Sequence, residues 1–228
     1  KNNELPKDVY SYGYQNWYPA AKRESIATRS NIALFELTPF AKFEIKGKDA
    51  HKELQIICSN NISNIKGKTT YTQMLNNFGG IESDLNITCL EEDNFLITTG
   101  SSVRYHDKHW IEKNLSPNSE LKFRDITENF CVLGIMGPNS RTLLKSLSDE
   151  NFETSHFPFG TGKYIVINDN KVWAQRLSYV GELGWELFIP VNSTLNIYKY
   201  IVQIGKKFKL SHAGTHAMNI LRMEKGYL

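Results

Sequence analysis

Apolar and polar residues alternate with a period of two in several segments of the chain, and this alternation predicts β-strands. The clearest example is a pair of runs, 71–75 and 81–90, separated by a segment rich in asparagine and glycine. Both residue types tolerate positive φ, so this segment predicts the turn of a β-hairpin. In the second run, one face carries only polar side chains: Glu82, Asp84, Asn86 and Thr88.

The same patterns predict further strands and helices. Strand-like runs occupy 32–45 (interrupted by Pro39), 94–100, 122–127, 131–136, 164–167 and 172–179. Helices are predicted over 19–31, 50–58, 101–114, 137–147 and 193–207. Asp49 is the predicted N-cap of the second helix, and Asn139 or Ser140 that of the fourth. The predicted inner stripe of the last helix is Leu195, Tyr198, Ile201, Val202 and Gly205.

Composition is that of an ordinary globular protein. The chain has 228 residues, 40% of them hydrophobic, with 27 basic and 24 acidic residues interspersed to a net charge of +3. This balance argues against a nucleic-acid or membrane partner. Its three cysteines show neither a disulfide framework nor metal-binding spacing, and no apolar run approaches the ~20 residues that span a bilayer. We therefore expect a cytoplasmic protein, or a mitochondrial matrix protein in a eukaryote.

Two groups of residues are candidates for chemistry. The hairpin places the Gly79-Gly80 pair near Asp84, which leaves backbone open to a flat ligand beside a fixed carboxylate; the alternative is an ordinary surface hairpin with a solvated acid. His106 and His109 lie three residues apart on a predicted helix, a spacing that can hold a metal. No third ligand lies near them in sequence, so we predict surface histidines and no metal site.

A second motif, 178–188, reads Ser-Tyr-Val-Gly-Glu-Leu-Gly-Trp-Glu-Leu-Phe. Gly181 and Gly184 interrupt the strand pattern, whereas Glu182, Glu186 and Phe188 recur at even spacing. A carboxylate has two acceptor oxygens and can accept both hydrogen bonds from two adjacent N–H donors.

These motifs together resemble the glycine-cleavage T-protein (aminomethyltransferase) family. The matching stretches are Tyr71-Thr-Gln-Met-Leu-Asn, Gly79-Gly80-Ile81-x-x-Asp84-Leu85, Leu133-Gly-Ile-Met-Gly-Pro-Asn-Ser140, the 178–188 motif and the final helix with Leu-Arg-Met-Glu. The closest resemblance is to the folate-binding part of the flavin-dependent sarcosine and dimethylglycine dehydrogenases, which share Ser83-Asp84 in place of two successive acids. The resemblance implies an α+β fold of antiparallel sheets with flanking helices.

The resemblance also implies a folate site. Asp84 takes the position of the family's catalytic aspartate. The implied folate-binding residues are Tyr71, Met74, Tyr179, Glu182, Glu186, Arg222 and Tyr227. Either Glu182 or Glu186 can hold the pterin while the other pairs with a structural arginine, and the sequence leaves this choice open. Met218-Asn219 stands where the T-protein has Arg-Asp, which argues against an arginine contact to the ligand there.

By this resemblance, the chain is expected to be the tetrahydrofolate-binding, one-carbon transfer part of a flavin-dependent N-methyl amine dehydrogenase that forms 5,10-methylenetetrahydrofolate. Its FAD would reside in an upstream oxidoreductase domain in cis. Residues 1–18 are then an arm continuing from that domain and 19–228 the folate-binding domain, with a subdomain of about 51–120 inserted. Two alternatives remain open, a stand-alone folate-dependent aminomethyltransferase or demethylase and a non-catalytic folate-binding regulatory module.

Overall fold

A computed structural model describes residues 7–227 of the chain. The predicted arm lies partly outside this range. Eleven strands occur in the described part: β1 (Ala33–Glu36), β2 (Ala41–Lys46), β3 (Thr69–Leu75), β4 (Ile81–Glu91), β5 (Asn94–Thr99), β6 (Lys122–Asp125), β7 (Phe130–Met136), β8 (Gly162–Ile167), β9 (Asn170–Gln175), β10 (Gly184–Pro190) and β11 (Ser211–Ala213). The α-helices are α1 (Tyr18–Ser30), α2 (Ala50–Ile57), α3 (Arg104–Asn114), α4 (Ser140–Lys145), α5 (Thr194–Gly205) and α6 (Thr215–Lys225).

The strands form two sheets. The larger sheet has the order β11-β1-β7-β10-β9-β8, antiparallel except for the parallel β1–β11 pair. The smaller sheet has the order β3-β4-β5-β2-β6 and is antiparallel throughout. All five of its strands come from one continuous segment, 41–125, between β1 and β7. The predicted α+β class with antiparallel sheets is confirmed.

Three apolar clusters hold these layers together. One lies on one face of the larger sheet and takes side chains from α4 and α5. The second lies on the opposite face, where Leu96 of the smaller sheet joins residues of the larger sheet and of α6. The third fills the outer face of the smaller sheet beneath α2 and α3. The second cluster therefore fixes the smaller sheet against the larger one.

Most predicted elements are present, with shifted ends. The strand predicted over 172–179 ends at Gln175, and the chain then bends through Gly181, whose φ is +75°. The predicted inner stripe of α5 is wrong at Leu195, which is 61% exposed; the fully buried positions are Ile197, Ile201 and Gly205, spaced by four residues. Strand β11 had no clear signal because it has only three residues.

Asp49 and Asn139 occupy the predicted N-cap positions of α2 and α4, but neither side chain makes a capping hydrogen bond. The Asp49 side chain makes no hydrogen bond to α2; its Oδ2 accepts one from the Glu120 backbone N–H at 2.7 Å and so ties a distant loop to the helix start. Asn139 makes no capping bond to α4, and Ser140 Oγ donates to the Leu183 carbonyl oxygen at 3.1 Å. In both cases, the side chain that the local sequence predicts to cap the helix instead hydrogen-bonds to a residue far away in the sequence.

Candidate functional site

The polar face of β4 is turned toward the larger sheet. Thr88 Oγ1 donates to Gln175 Oε1 of β9 at 3.1 Å, and both side chains are buried. Successive side chains alternate across a strand, so Asp84 and Asn86 lie on the same face of β4 as Thr88. Glu186 of β10 is the register neighbour of Gln175 and shares its face. The structure therefore directs Asp84 and Glu186 toward the region between the two sheets.

Asp84 lies near the free end of the β3–β4 hairpin, and its residue is exposed to solvent. Gln73, opposite in register on β3, donates from Nε2 to Asp84 Oδ1 at 3.2 Å. Partial burial raises the pKa of Tyr71, and a hydrogen bond to the negatively charged Asp84 side chain raises it further. A carboxylate with two polar neighbours and an open side can act on a ligand.

The turn of this hairpin is held by one side chain. Asn76 Oδ1 accepts hydrogen bonds from the backbone N–H groups of Phe78 at 3.0 Å and Gly80 at 2.9 Å. Gly79 adopts a φ of +80°, a conformation that L side chains rarely adopt. The asparagine-glycine segment thus forms the predicted turn.

The two glutamates of the 178–188 motif have different environments. Glu182 Oε1 accepts a hydrogen bond from Arg29 Nη1 of α1 at 3.1 Å. Glu186 is partly buried, and its carboxylate has no hydrogen-bond or ion-pair partner within residues 7–227. Burial alone raises the pKa of Glu186 to about 7. Glu182 is therefore part of a structural ion pair, whereas Glu186 is free to accept hydrogen bonds from a ligand.

Arg29 anchors three segments at once. Besides Glu182, its guanidinium donates to the carbonyl oxygens of Val180 and Leu221 and to Glu224 Oε2 at 3.0 Å. It thereby joins α1, the 178–188 motif and α6. Sequence reasoning anticipated an arginine partner for one of the two glutamates but had no signal for which arginine, since 153 residues separate Arg29 from Glu182.

Two stacked tyrosine rings, Tyr179 and Tyr227, lie at the end of α6 and are here named the aromatic wall. The rings of Tyr179 and Tyr227 stack with centroids 6.0 Å apart and planes 8° from parallel. The Arg222 guanidinium lies 6.0 Å from the Tyr179 ring centroid, and its Nη1 donates to the Tyr227 carbonyl oxygen at 3.1 Å. Tyr179 is also close enough to Tyr71 to contribute to raising the pKa of the Tyr71 phenol. Tyr179, Tyr227 and Arg222 thus form one cluster at the end of α6.

Met74 does not belong to this group. Its side chain is fully buried on the opposite face of β3, in the apolar cluster beneath α2 and α3. The period-two pattern had already placed Met74 and Tyr71 on opposite faces, and the folate role came from the resemblance alone. We therefore assign Met74 to packing.

A substitution tests this assignment. Met74→Ala is expected to lower the free energy of unfolding by about 3 kcal/mol, because it leaves a cavity in a closed core. Met74→Leu should cost less than about 1.5 kcal/mol, since it nearly conserves volume. Urea unfolding measures both, with Leu75→Ala, at a 42% exposed neighbour, as the matched control. Equal losses from Met74→Ala and Leu75→Ala would contradict the packing role.

Sequence reasoning missed two polar residues near the site. Gln73, which donates to Asp84, follows Tyr71 on the same face of β3, so the period of two was a usable signal. Gln175 is fully buried and its Oε1 accepts from Thr88 and from Trp173 Nε1 at 3.4 Å. Its partner Thr88 lies 87 residues away on the other sheet, so no local pattern indicated this bridge.

Residues 7–227 contain neither a metal-binding cluster nor a membrane-spanning helix. No group of three or more histidine, cysteine, aspartate or glutamate side chains could hold a metal ion there. Within the same range, every helix is too short or too polar to cross a bilayer.

Comparisons with known proteins identify the family. Residues 4–228 match the model of the GCVT N-terminal domain. The chain is 35% identical over 222 residues to 4-methylaminobutanoate oxidase (formaldehyde-forming) of Paenarthrobacter nicotinovorans, covering 97% of this chain and 27% of that protein. It is also 35% identical over 237 residues to mitochondrial sarcosine dehydrogenase of Homo sapiens, covering 98% of this chain and 26% of that protein. The chain spans about a quarter of the length of these two relatives.

A solved structure supports the fold. The glycine cleavage system aminomethyltransferase T of Bartonella henselae superposes with a TM-score of 0.79 at 21% identity, covering 97% of this chain and 59% of that chain. At 21% identity, this structural likeness shows only that the fold is shared. The family match shows that the chain is a member of the family. The chain therefore belongs to the GCVT N-terminal domain family, as an aminomethyltransferase-type domain related to the sarcosine dehydrogenases.

Proposed function

We propose that this chain binds tetrahydrofolate between its two sheets and positions it to capture a one-carbon unit at the oxidation level of formaldehyde. The observation that carries the proposal is the partly buried, partnerless carboxylate of Glu186, whose pKa burial raises to about 7. An unpaired acid in the middle of a sheet is costly to the fold and is characteristic of a ligand site. The donor edge of a pterin would supply the missing hydrogen bonds.

The residues around Asp84 suit the chemical step. Folate supplies two amine nitrogens that condense with formaldehyde, forming two C–N bonds and releasing water. The exposed Asp84 carboxylate would accept a proton from an amine as its C–N bond forms and return it to the departing hydroxyl group. Gln73, which donates to Asp84 Oδ1, would hold the carboxylate in place. The aromatic wall of Tyr179 and Tyr227 offers a flat apolar surface to the ligand's ring system.

The names of the relatives suggest the source of the carbon. One is a formaldehyde-forming oxidase of a methylamino compound, and another is a sarcosine dehydrogenase. We propose that this chain acts together with a flavin-dependent N-methyl amine oxidoreductase, which would hold the FAD, and receives the carbon that such an enzyme releases. The product would be 5,10-methylenetetrahydrofolate.

Calorimetric titration of tetrahydrofolate into the purified chain, without oxygen, tests the proposal. We expect a dissociation constant of about 10 μM, which corresponds to roughly 7 kcal/mol. Asp84→Asn should change it by less than about threefold, since a proton-relay residue contributes little to ground-state binding. Asp93→Asn, in the exposed β4–β5 turn, is the matched control.

Two results would contradict the proposal. Absence of binding by a chain whose circular dichroism shows a folded state would refute folate binding. A loss of binding in Asp84→Asn but not in Asp93→Asn would make Asp84 a ligand-holding residue instead of a chemical one.

A further inference from the structure

The hairpin that carries Asp84 is connected to helix α3 by a chain of polar contacts. Thr99 Oγ1 of β5 lies 2.5 Å from Asp107 Oδ2 and 3.3 Å from the backbone carbonyl oxygen of Asp84. Both neighbours are acceptors and the hydroxyl has one proton, so Thr99 shares that proton between them, with Asp107 as the nearer and stronger acceptor and the Asp84 carbonyl as the weaker one. Thr99 and Asp107 are both buried, so these contacts are protected from water.

The chain of contacts continues to the hairpin turn. His106 Nδ1 lies 3.1 Å from Asp107 Oδ1, and His106 Nε2 lies 3.4 Å from Glu82 Oε2. Glu82 Oε1 accepts from Asn76 Nδ2 at 2.8 Å, and Asn76 holds the turn. These contacts thus run from the backbone of Asp84 at one end to the hairpin turn, about five residues before Asp84, at the other.

The imidazole of His106 is the central member of this series of contacts. Both of its ring nitrogens face carboxylate oxygens, and an ionised carboxylate accepts hydrogen bonds but cannot donate them. A neutral imidazole has one N–H and can satisfy one of them, whereas the imidazolium has two and can satisfy both. The side chain is 52% exposed, so it can be substituted without opening the core.

Within the part of the chain that the structure describes, the imidazole forms ion pairs with no carboxylates other than Glu82 and Asp107. Across from it on β4 stands Glu82, and beside it on α3 stands Asp107. The basic residues that flank His106 along α3 are paired elsewhere, Arg104 with Asp125 and Lys108 with Glu112. The two carboxylates therefore govern the effect of the imidazole charge.

We infer that Thr99, Asp107, His106 and Glu82 form a clamp, here named the α3 clamp, that positions Asp84 by tying its strand and the hairpin turn to α3. His106 and Asp107 are positioning residues, since neither reaches the proposed ligand region itself. The inference rests on the proposed role of Asp84. The imidazole is the member of the clamp that contacts both Asp107 and Glu82, so removing it breaks the connection between α3 and the start of β4.

Hydrogen exchange of the hairpin amides, 75–84, tests the clamp directly. His106→Gln should accelerate this exchange about tenfold at pH 6, because the link between Glu82 and Asp107 is removed. His109→Gln, at an exposed histidine three residues along α3, is the matched control and should leave exchange unchanged.

Tetrahydrofolate affinity is measured on the same samples and separates the two hypotheses. Faster exchange together with weaker affinity at pH 6, in His106→Gln alone, supports the clamp and its connection to the site. If His106→Gln exchanges faster but the wild type binds no tetrahydrofolate, the proposed function is refuted and the clamp stands as a feature of the hairpin. Exchange that is unchanged in His106→Gln, or accelerated equally in His109→Gln, overturns the inference. His106 is chosen over the buried Asp107 because its exposure lets the fold tolerate substitution.

Discussion

Replacing Glu186 by glutamine is expected to weaken tetrahydrofolate binding about hundredfold, the equivalent of roughly 2.7 kcal/mol. Glutamine keeps the shape of the side chain but offers one acceptor and one donor where the pterin edge needs two acceptors. The amide N–H₂ would face a ligand N–H group, so a partially buried donor would be left unpaired. Calorimetric titration measures the effect, with Glu92→Gln in the exposed β4–β5 turn as the matched control.

The pH dependence of binding follows from the same carboxylate. Burial raises the pKa of Glu186 to about 7, so the side chain is largely protonated at lower pH and ionised at higher pH. A ligand with two N–H donors requires the ionised form, and affinity should therefore rise as the pH increases from about 5 to about 7 and level off above. The slope approaches a factor of about ten per pH unit in the acidic range. A flat profile in the wild type would contradict the assignment of Glu186.

The same substitution should stabilise the fold. In the unfolded chain the carboxyl titrates near its usual 4.5, whereas in the folded chain it titrates at about 7. The folded state therefore holds the proton more tightly, and the free energy of unfolding of the wild type falls as the pH rises between these two values. Glu186→Gln removes this loss, so at about pH 8 it should be more stable than the wild type by about 3 kcal/mol, with little difference near pH 4.

Urea unfolding at the two pH values measures this stability difference. If Glu186→Gln is more stable than the wild type at high pH and has lost tetrahydrofolate binding, the acid is kept for a ligand although it destabilises the fold. A variant less stable than the wild type at about pH 8 would instead mean that Glu186 has a structural partner, against the environment described for it.

Replacing Arg29 by alanine is expected to cause a large loss of stability, about 3 kcal/mol or roughly a 10 °C decrease in melting temperature. The guanidinium is 30% exposed and satisfies Glu182, which is 25% exposed, together with two backbone carbonyl oxygens. Its removal leaves Glu182 without its cation and both carbonyls without their donor. Arg29→Lys should recover less than half of the loss, since an ammonium group cannot reproduce the planar arrangement of donors.

Thermal unfolding followed by circular dichroism measures the effect, with Lys22→Ala on the exposed side of α1 as the control. The loss should be accompanied by weaker tetrahydrofolate binding, because Arg29 joins the 178–188 motif and α6, which carry Tyr179 and Tyr227. A stable Arg29→Ala variant would show that the apolar cluster between α6 and the larger sheet holds these segments without the arginine.

The local sequence determined which segments form strands and helices, and which side chains share a face of a strand. Alternation in 71–90 predicted the hairpin, its turn and the side of β4 on which Asp84 lies, because side-chain direction in a strand depends only on the period of two. The motifs in combination identified the family, which the family match confirms. Predictions for strands and helices agreed with the structure to within a few residues, apart from β11, which had no clear signal, and the strand predicted over 172–179, which ends at Gln175.

Only the tertiary structure decided how the candidate residues are used. Two glutamates four residues apart in one motif have the same chemistry in sequence, and the distant Arg29 separates them by pairing with Glu182 and leaving Glu186 unpaired. Met74 and Tyr71 share a motif, yet the packing of α2 and α3 on one face of the smaller sheet encloses Met74 and leaves Tyr71 beside Asp84. Burial and charge pairing depend on which segments meet in space, and that information is distributed over contacts between residues far apart in the chain.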